Sequence, residues 1–139
     1  MCIITVLGKG ETLSATQWNC LQNSNYDGWG VTWWEDGKLQ VAKSPIATTF
    51  APFLEKIQGK SMVVHFRHRT HGEIDLDNTH PYEVHPGIYL FHNGVLPTKK
   101  VQSTKSDTWH FVRQFLRPIF MGSSIPAERL VQTRWFRKV

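Results

Sequence analysis

Apolar and polar positions change their period several times along this chain, and each change marks an element. Ile3-Ile4-Thr5-Val6, with Met1 and Cys2 before it, is a β-branched run that reads as a short buried strand. Gly8-Lys9-Gly10 is a turn, and Ser14-Ala15-Thr16-Gln17 has the Ser-x-x-Gln form of a capping box. It opens a short helix with Trp18 and Leu21 turned inward, closed over Asn23 to Asn25. Asn25-Tyr26-Asp27-Gly28-Trp29-Gly30 is turn-rich, and its glycines admit a positive φ or the close approach of another backbone. Val31 to Trp34 and Lys38 to Lys43, joined through Glu35-Asp36-Gly37, predict a β-hairpin.

Beyond the hairpin the period lengthens. Phe50, Phe53, Leu54 and Ile57 recur at helical spacing within Ile46 to Gln58, and Gly59 ends that helix. Ser61 to Arg67 predicts a strand around Met62-Val63-Val64, followed by the polar stretch His65 to Glu73 and a loop through Asn78-Thr79-His80-Pro81. Gly87 to Phe91 is a further strand, ending at His92-Asn93-Gly94. Trp109, Val112 and Leu116, with Phe111 and Phe115, describe a helix opened near Ser106-Asp107 and closed by Pro118. A last helix is expected from about Pro126 to Trp135, with proline in its first turn.

Composition narrows the class. A chain of 139 residues is one domain, residues 1–139, and no apolar run approaches the ~20 residues that cross a bilayer. The start lacks a basic region followed by an apolar core and a cleavage site. Cys2 and Cys20 are too few for a disulfide framework and lack paired zinc-ligand spacing, so free thiols and a cytoplasmic setting are expected. The net charge of +5 is uneven: from Pro97 onward nine Lys/Arg face only Asp107 and Glu128. Such a basic third is a solvated helix face or a surface for an acidic protein or nucleic acid; Lys99 to Lys138, with Trp109 and Trp135, offers charge and stacking together.

Candidate chemistry begins at Cys2. Read singly it is a small core residue; with Met1 removed it would carry both a thiol and an α-amine, which titrates at about 7.7–8.0 and can act as its base. His65, His68 and His71 alternate along a strand and its extension with no acidic or thiol ligand to complete a set, so neither metal nor cofactor is expected.

Five motifs occur in order: Cys2; Asn25-x-Asp27-Gly28-x-Gly30; Arg67-x-x-Thr70-His71-Gly72 leading to Asn78-Thr79-His80-Pro81; His92-Asn93-Gly94; and Ser106-Asp107-Thr108. Together they resemble the signatures of class II glutamine amidotransferases, members of the N-terminal-nucleophile hydrolases. The likeness covers about residues 1–115 and leaves a basic helical tail of about 116–139. It implies an α+β fold, the αββα sandwich of that superfamily, reduced here because no strand-like run follows Pro118. It implies hydrolysis of the side-chain amide of free glutamine through a Cys2 thioester, giving glutamate and ammonia, the latter for a partner enzyme. By the same resemblance Asn93 and the Gly94 N–H form the oxyanion hole, Arg67 clamps the α-carboxylate, and Asp107 meets the α-ammonium. Thr70, His71, Gly72 and His80 match positions lining the glutamine pocket or its closing loop. His68 stands where many members have Trp, and Arg69 where they have a small residue, so the pocket wall is altered. The competing reading is an inactive glutaminase-like binding protein that acts through the basic third.

Overall fold

The structure, a computed structural model, describes residues 1–98, 104–124 and 126–130. Four antiparallel strands form the main sheet in the order β1-β4-β2-β3: β1 Ile3–Leu7, β2 Trp29–Glu35, β3 Lys38–Ser44 and β4 Met62–Phe66. The β2–β3 turn is Asp36-Gly37, both at positive φ (50° and 74°), as a two-residue hairpin between right-twisted strands requires. The first strand is an edge strand, not the buried one expected: it pairs with β4 alone among the described residues, and Val6 is 70% exposed.

Strand alternation sends Trp29, Val31, Met62, Val64 and Phe66 to one face, which two helices cover. α1 (Ala15–Ser24) starts from the expected capping box, Gln17 N–H donating to Ser14 Oγ and Ser14 N–H donating to Gln17 Oε1 (3.2 and 2.8 Å). α2 (Phe50–Ile57) follows a single 3₁₀ turn and is tied to β2 by the Trp29 indole N–H, which donates to Thr49 Oγ1 at 2.9 Å. Phe50 lies at the centre of this core, 5.4 Å from the Trp18 ring, 5.3 Å from Trp29 and 4.7 Å from Phe66, all in tilted or edge-on arrangements that suit aromatic quadrupoles.

The opposite face meets a second layer. β5 (Tyr82–His85) and β6 (Ile88–Leu90) form a small antiparallel hairpin, whose approach segment lies on the sheet. A Cβ on Gly30 would fall on the His80 carbonyl, so glycine is what lets the layers close there. Lys43 Nζ, projecting from β3 on this face, donates to the Thr79 and Pro81 carbonyls at 2.9 and 3.4 Å. On the hairpin's outer side lies a long helical run, α3 (Asp107–Phe111), a π-helical turn (Val112–Leu116) and α4 (Arg117–Gly122), packing Val112, Leu116 and Phe120 against Tyr82 and Val84. The layer order is helices, four-stranded sheet, hairpin, helix.

Two expectations about this half need correcting. Tyr82–His85 is a strand that the residue pattern does not announce. Pro118 does not close the helix, which runs on to Gly122; proline sits in the first turn of α4, directly after a π turn whose last bond is donated by Arg117 N–H to Val112 O. The last helix, α5, is described over Ala127–Leu130; its expected continuation to Trp135 lies outside the described residues, as do Lys99, Lys100, Arg134, Arg137 and Lys138 of the basic third. Among the described residues no helix is long and apolar enough to cross a membrane.

Candidate active site

Cys2 lies just before β1, beside the chain that leaves β4. Its Sγ is within 3.4 Å of the His68 N–H, which donates to it, and 3.5 Å from the His68 carbonyl. The loop before β2 fixes this exit: Arg67 N–H donates to Gly28 O (2.9 Å), Asp27 N–H donates to Arg67 O (3.1 Å), and Arg69 N–H donates to the Asp27 carboxylate (2.7 Å). The Asn25-to-Gly30 motif thus clamps the strand end that carries Arg67 and His68.

From the other side comes the exit of β6. Asn93 Nδ2 donates to the Cys2 carbonyl at 2.7 Å, and Gly94 follows at φ +131°, a conformation that L side chains rarely adopt. His92 Nδ1 is 3.2 Å from Thr108 Oγ1, tying this exit to the start of α3. There Ser106 Oγ caps the helix, accepting from Trp109 N–H at 3.1 Å. The Asp107 carboxylate accepts from Thr108 N–H (2.9 Å) and Leu96 N–H (2.6 Å), so it orders the 94–96 segment as well.

These elements enclose a cavity of about 40 Å³, lined by Cys2, Arg67, Thr70, His71, His80, Gly94 and Asp107 among the expected residues. Asn93 lines an adjoining cavity of about 110 Å³ that shares Cys2, His68, Thr70 and Gly94 with the first and is walled on one side by Met1. Gly72 lines neither: a Cβ there would press on Asn78 Oδ1 and the Ser106 N–H, both 2.9 Å away, so its place is in the packing of the 71–78 loop. His68, Asn78, His92, Ser106 and Thr108 also line the first cavity. Apart from His68, noted as a departure in the pocket wall, they stand inside the ordered motifs without having been singled out; their place in those motifs was the available signal.

The electrostatics are uneven. Arg67 is 4% exposed, yet among the described residues its guanidinium donates only to carbonyls, Glu73 O at 2.7 Å and His71 O at 3.1 Å. Among the described residues it has no salt bridge, and burial lowers its pKa. A buried guanidinium held by neutral acceptors is a site that an anion would stabilise. His80, which lines the cavity, packs on the buried His65 ring with centroids 4.2 Å apart. Burial, with the Arg67 charge adding, pushes His65 down to about 4. Burial also drives His80 well below the usual imidazole range, and the neighbouring His65 adds to the effect. His92 is lowered as well, by burial, with the Asp107 carboxylate opposing. Both stacked rings are therefore neutral near pH 7, leaving Arg67 as the fixed positive charge beside the thiol.

The family model of glutamine amidotransferases class-II matches residues 8–115. The chain belongs to that family. The match begins one residue after β1, so the strand that Cys2 precedes falls outside it, while the Arg67, His92-Asn93-Gly94 and Asp107 segments fall within. Three curated relatives agree. The YafJ protein of Escherichia coli (strain K12), named as a glutamine amidotransferase, is 34% identical over 61 residues, 40% of this chain and 24% of that protein. The glutamine–fructose-6-phosphate aminotransferase (isomerizing) of Xylella fastidiosa (strain Temecula1) is 29% identical over 101 residues, 68% of this chain and 16% of that protein. A Haemophilus influenzae (strain Rd) protein named as a glutamine amidotransferase is 27% identical over 84 residues, 55% of this chain and 29% of that protein. The chain therefore spans less than a third of the length of each of these relatives.

Proposed function

We propose that this chain is a glutaminase unit: the Cys2 thiolate attacks the side-chain carboxamide of free glutamine, ammonia leaves, and water releases glutamate from the Cys2 thioester. The observation that carries this reading is the pairing of the Cys2 thiol, in one cavity, with a buried Arg67 whose hydrogen-bond partners among the described residues are carbonyls. A guanidinium in that state suits the α-carboxylate of an amino acid, which would replace a neutral environment with a bidentate charge-assisted pair. Asp107 lines the same cavity and offers the complementary charge for the α-ammonium.

The reaction needs donors where the carboxamide oxygen gains charge. The Asn93 amide has a second N–H besides the one given to the Cys2 carbonyl, and the neighbouring Gly94 N–H completes a pair. Such donors are worth about 10²–10³ in rate each. Thr70, His71 and His80 form the remaining wall, and Gly72 shapes the loop that closes it. The layer order of helices, sheet, hairpin and helix supports the αββα reading of an N-terminal-nucleophile hydrolase, with the second sheet reduced to two strands among the described residues. In that chemistry the base is the α-amine of the nucleophile, which removal of Met1 would free; the same step takes away one wall of the 110 Å³ cavity and enlarges the space beside the thiol. The ammonia serves an acceptor enzyme.

The test is an intact mass spectrum of protein with an untagged N-terminus, before and after an electrophilic glutamine analogue that alkylates thiols, with Cys2→Ala alongside. The expected result is a chain lacking Met1 that takes one adduct, mapped to Cys2, blocked by excess glutamine and absent in Cys2→Ala. Glutamate release should fall by roughly five decades or more in that variant, as for loss of a nucleophile elsewhere. A cleaved, folded chain that takes no adduct would overturn the proposal in favour of a binding protein with an idle pocket.

A further inference from the structure

The second layer carries a cleft that glutamine chemistry does not use. It is a cavity of about 280 Å³ between β3, the β5–β6 hairpin and α3 with its π turn. Its cations are Lys43, Arg113 and Arg117, and its rings are Tyr82, Tyr89 and Trp109. We propose that this cleft binds a nucleoside phosphate, its phosphates on the three cations and its base on the rings.

Each cation has capacity to spare. Lys43 spends two of its three N–H donors on the Thr79 and Pro81 carbonyls, and its ammonium lies 5.6 Å from the Tyr82 ring centroid. Burial lowers its pKa, so the charged form lacks solvation that an anion would restore. Arg117 gives Nε and one Nη2 bond to the Glu83 carbonyl, at 3.0 and 2.8 Å, leaving the rest of its fork unassigned. The exposed Arg113 lies over the Trp109 ring at 4.5 Å, a stack that pre-orients a guanidinium, and it has no salt bridge among the described residues. Asp77 is already paired with Lys105 at 2.7 Å, which leaves Glu83, accepting from the Tyr89 hydroxyl at 3.4 Å, as the one unpaired carboxylate lining the cleft among the described residues, against three cations. Positive charge therefore remains in excess.

Size and shape select the ligand. The cavity lies near the lower end of the about 300–1,000 Å³ of small-molecule sites, which suits one nucleotide and not a strand. Arg113 and Lys43 already lie over the Trp109 and Tyr82 rings, so a bare phosphate would leave Tyr89 and the remaining ring surface uncontacted, and an uncharged base would leave the cations unanswered. The cleft is also separate from the thiol cavity while sharing structure with it: Tyr82 lines the cleft, and its hydroxyl lies 3.0 Å from Ser106 Oγ, whose residue lines the cavity around Cys2.

Isothermal titration calorimetry of the full chain with ADP, pyrophosphate and adenosine tests this without reference to glutamine. ADP should bind with Kd below about 1 mM, and each fragment at least about tenfold more weakly. Arg113→Gln, a change at an exposed position, should weaken ADP about tenfold with Tm unchanged. Trp109→Leu should bring ADP affinity down to that of pyrophosphate. The proposal is overturned by absence of ADP binding at about 5 mM, by pyrophosphate binding as tightly as ADP, or by an Arg113→Gln protein that binds ADP as the parent does. Salt-sensitive binding of a single-stranded oligonucleotide, with none of ADP, would overturn it too and point to a nucleic-acid surface.

Discussion

The two faces of the four-stranded sheet are made from the same strands and have opposite characters. Toward α1 and α2 the strands offer Trp29, Val31, Val64 and Phe66, which interlock with Trp18 and Phe50. Toward the hairpin the facing row is Ile4, His65, Gly30 and Lys43, set side by side by the register of β1, β4, β2 and β3. The first face is apolar and closed; burying a residue such as Phe50 there contributes about 1.5–3 kcal/mol. The second face holds a glycine, a lysine and a histidine, stacks that histidine on His80, and continues past the strand end into Arg67. One side of the sheet supplies stability, and the other gives some of it up to place charge beside a thiol. The division can be broken at chosen residues, and the effects should rank by how much charge or volume each change disturbs.

Arg67 should give the largest effect. Arg67→Gln keeps the size and a donor for the His71 and Glu73 carbonyls but loses the charge, so KM for glutamine should rise about 100-fold with a smaller change in kcat. Arg67→Lys should not restore binding, because a point charge lacks the planar fork. Unaltered glutamine kinetics in Arg67→Gln would end the case for Arg67 as the carboxylate clamp. Gly30→Ala comes next: its methyl would collide with the His80 carbonyl, which is backbone and cannot swing away. A loss of about 2 kcal/mol is expected, read as a lower midpoint in urea. A midpoint within error of the parent would mean that the layers are not in contact at this point.

How much of this was legible depended on the signal each residue left. The β2–β3 hairpin, α1 and α2 were readable because period and turn chemistry agreed: Asp36-Gly37 at the turn, Ser14 and Gln17 at the cap, Phe50 and Ile57 on one stripe. β5 was hidden because Tyr82–His85 is only four residues long and lies between Pro81 and Pro86, which read as loop. The helix past Pro118 was hidden because proline is a stop signal and a π turn has no signature of its own. Among the candidate residues, the ordered motifs named Cys2, Arg67, Gly94 and Asp107, which line one cavity, and Asn93, which bonds to the Cys2 carbonyl. What no motif could carry was the environment: that Arg67 has only carbonyl partners among the described residues, that His65 is buried against His80, and that Met1 walls the neighbouring cavity.

Acid should separate the two faces further. His65 is held at about 4 when folded, against a usual value near 6.5, and His80 is shifted in the same direction. A base whose pKa is depressed by folding contributes stability that is complete above its unfolded pKa and is lost as pH falls toward its folded value. Unfolding therefore takes up a proton at His65 between about pH 6.5 and 4, and stability should fall there by up to about 1.4 kcal/mol per pH unit on its account, with His80 acting in the same direction. His65→Asn should flatten the slope in that window; an unchanged slope would mean that His65 is already charged in the folded protein.

The smallest effect belongs to the helix-covered face and is the control for the others. Ser14→Ala removes the acceptor for the Gln17 N–H at the start of α1, and neither Ser14 nor any residue of α1 lines the thiol cavity or the one beside it. A cap of this kind contributes about 1 kcal/mol, so Tm should drop by several degrees. KM and kcat for glutamine should not move, because α1 packs on the face that the site does not share. If Ser14→Ala shifted KM as well as Tm, the two faces would be coupled through the sheet. The Gly30 and Arg67 results would then have to be read as effects on one cooperative core, not on a site held apart from it.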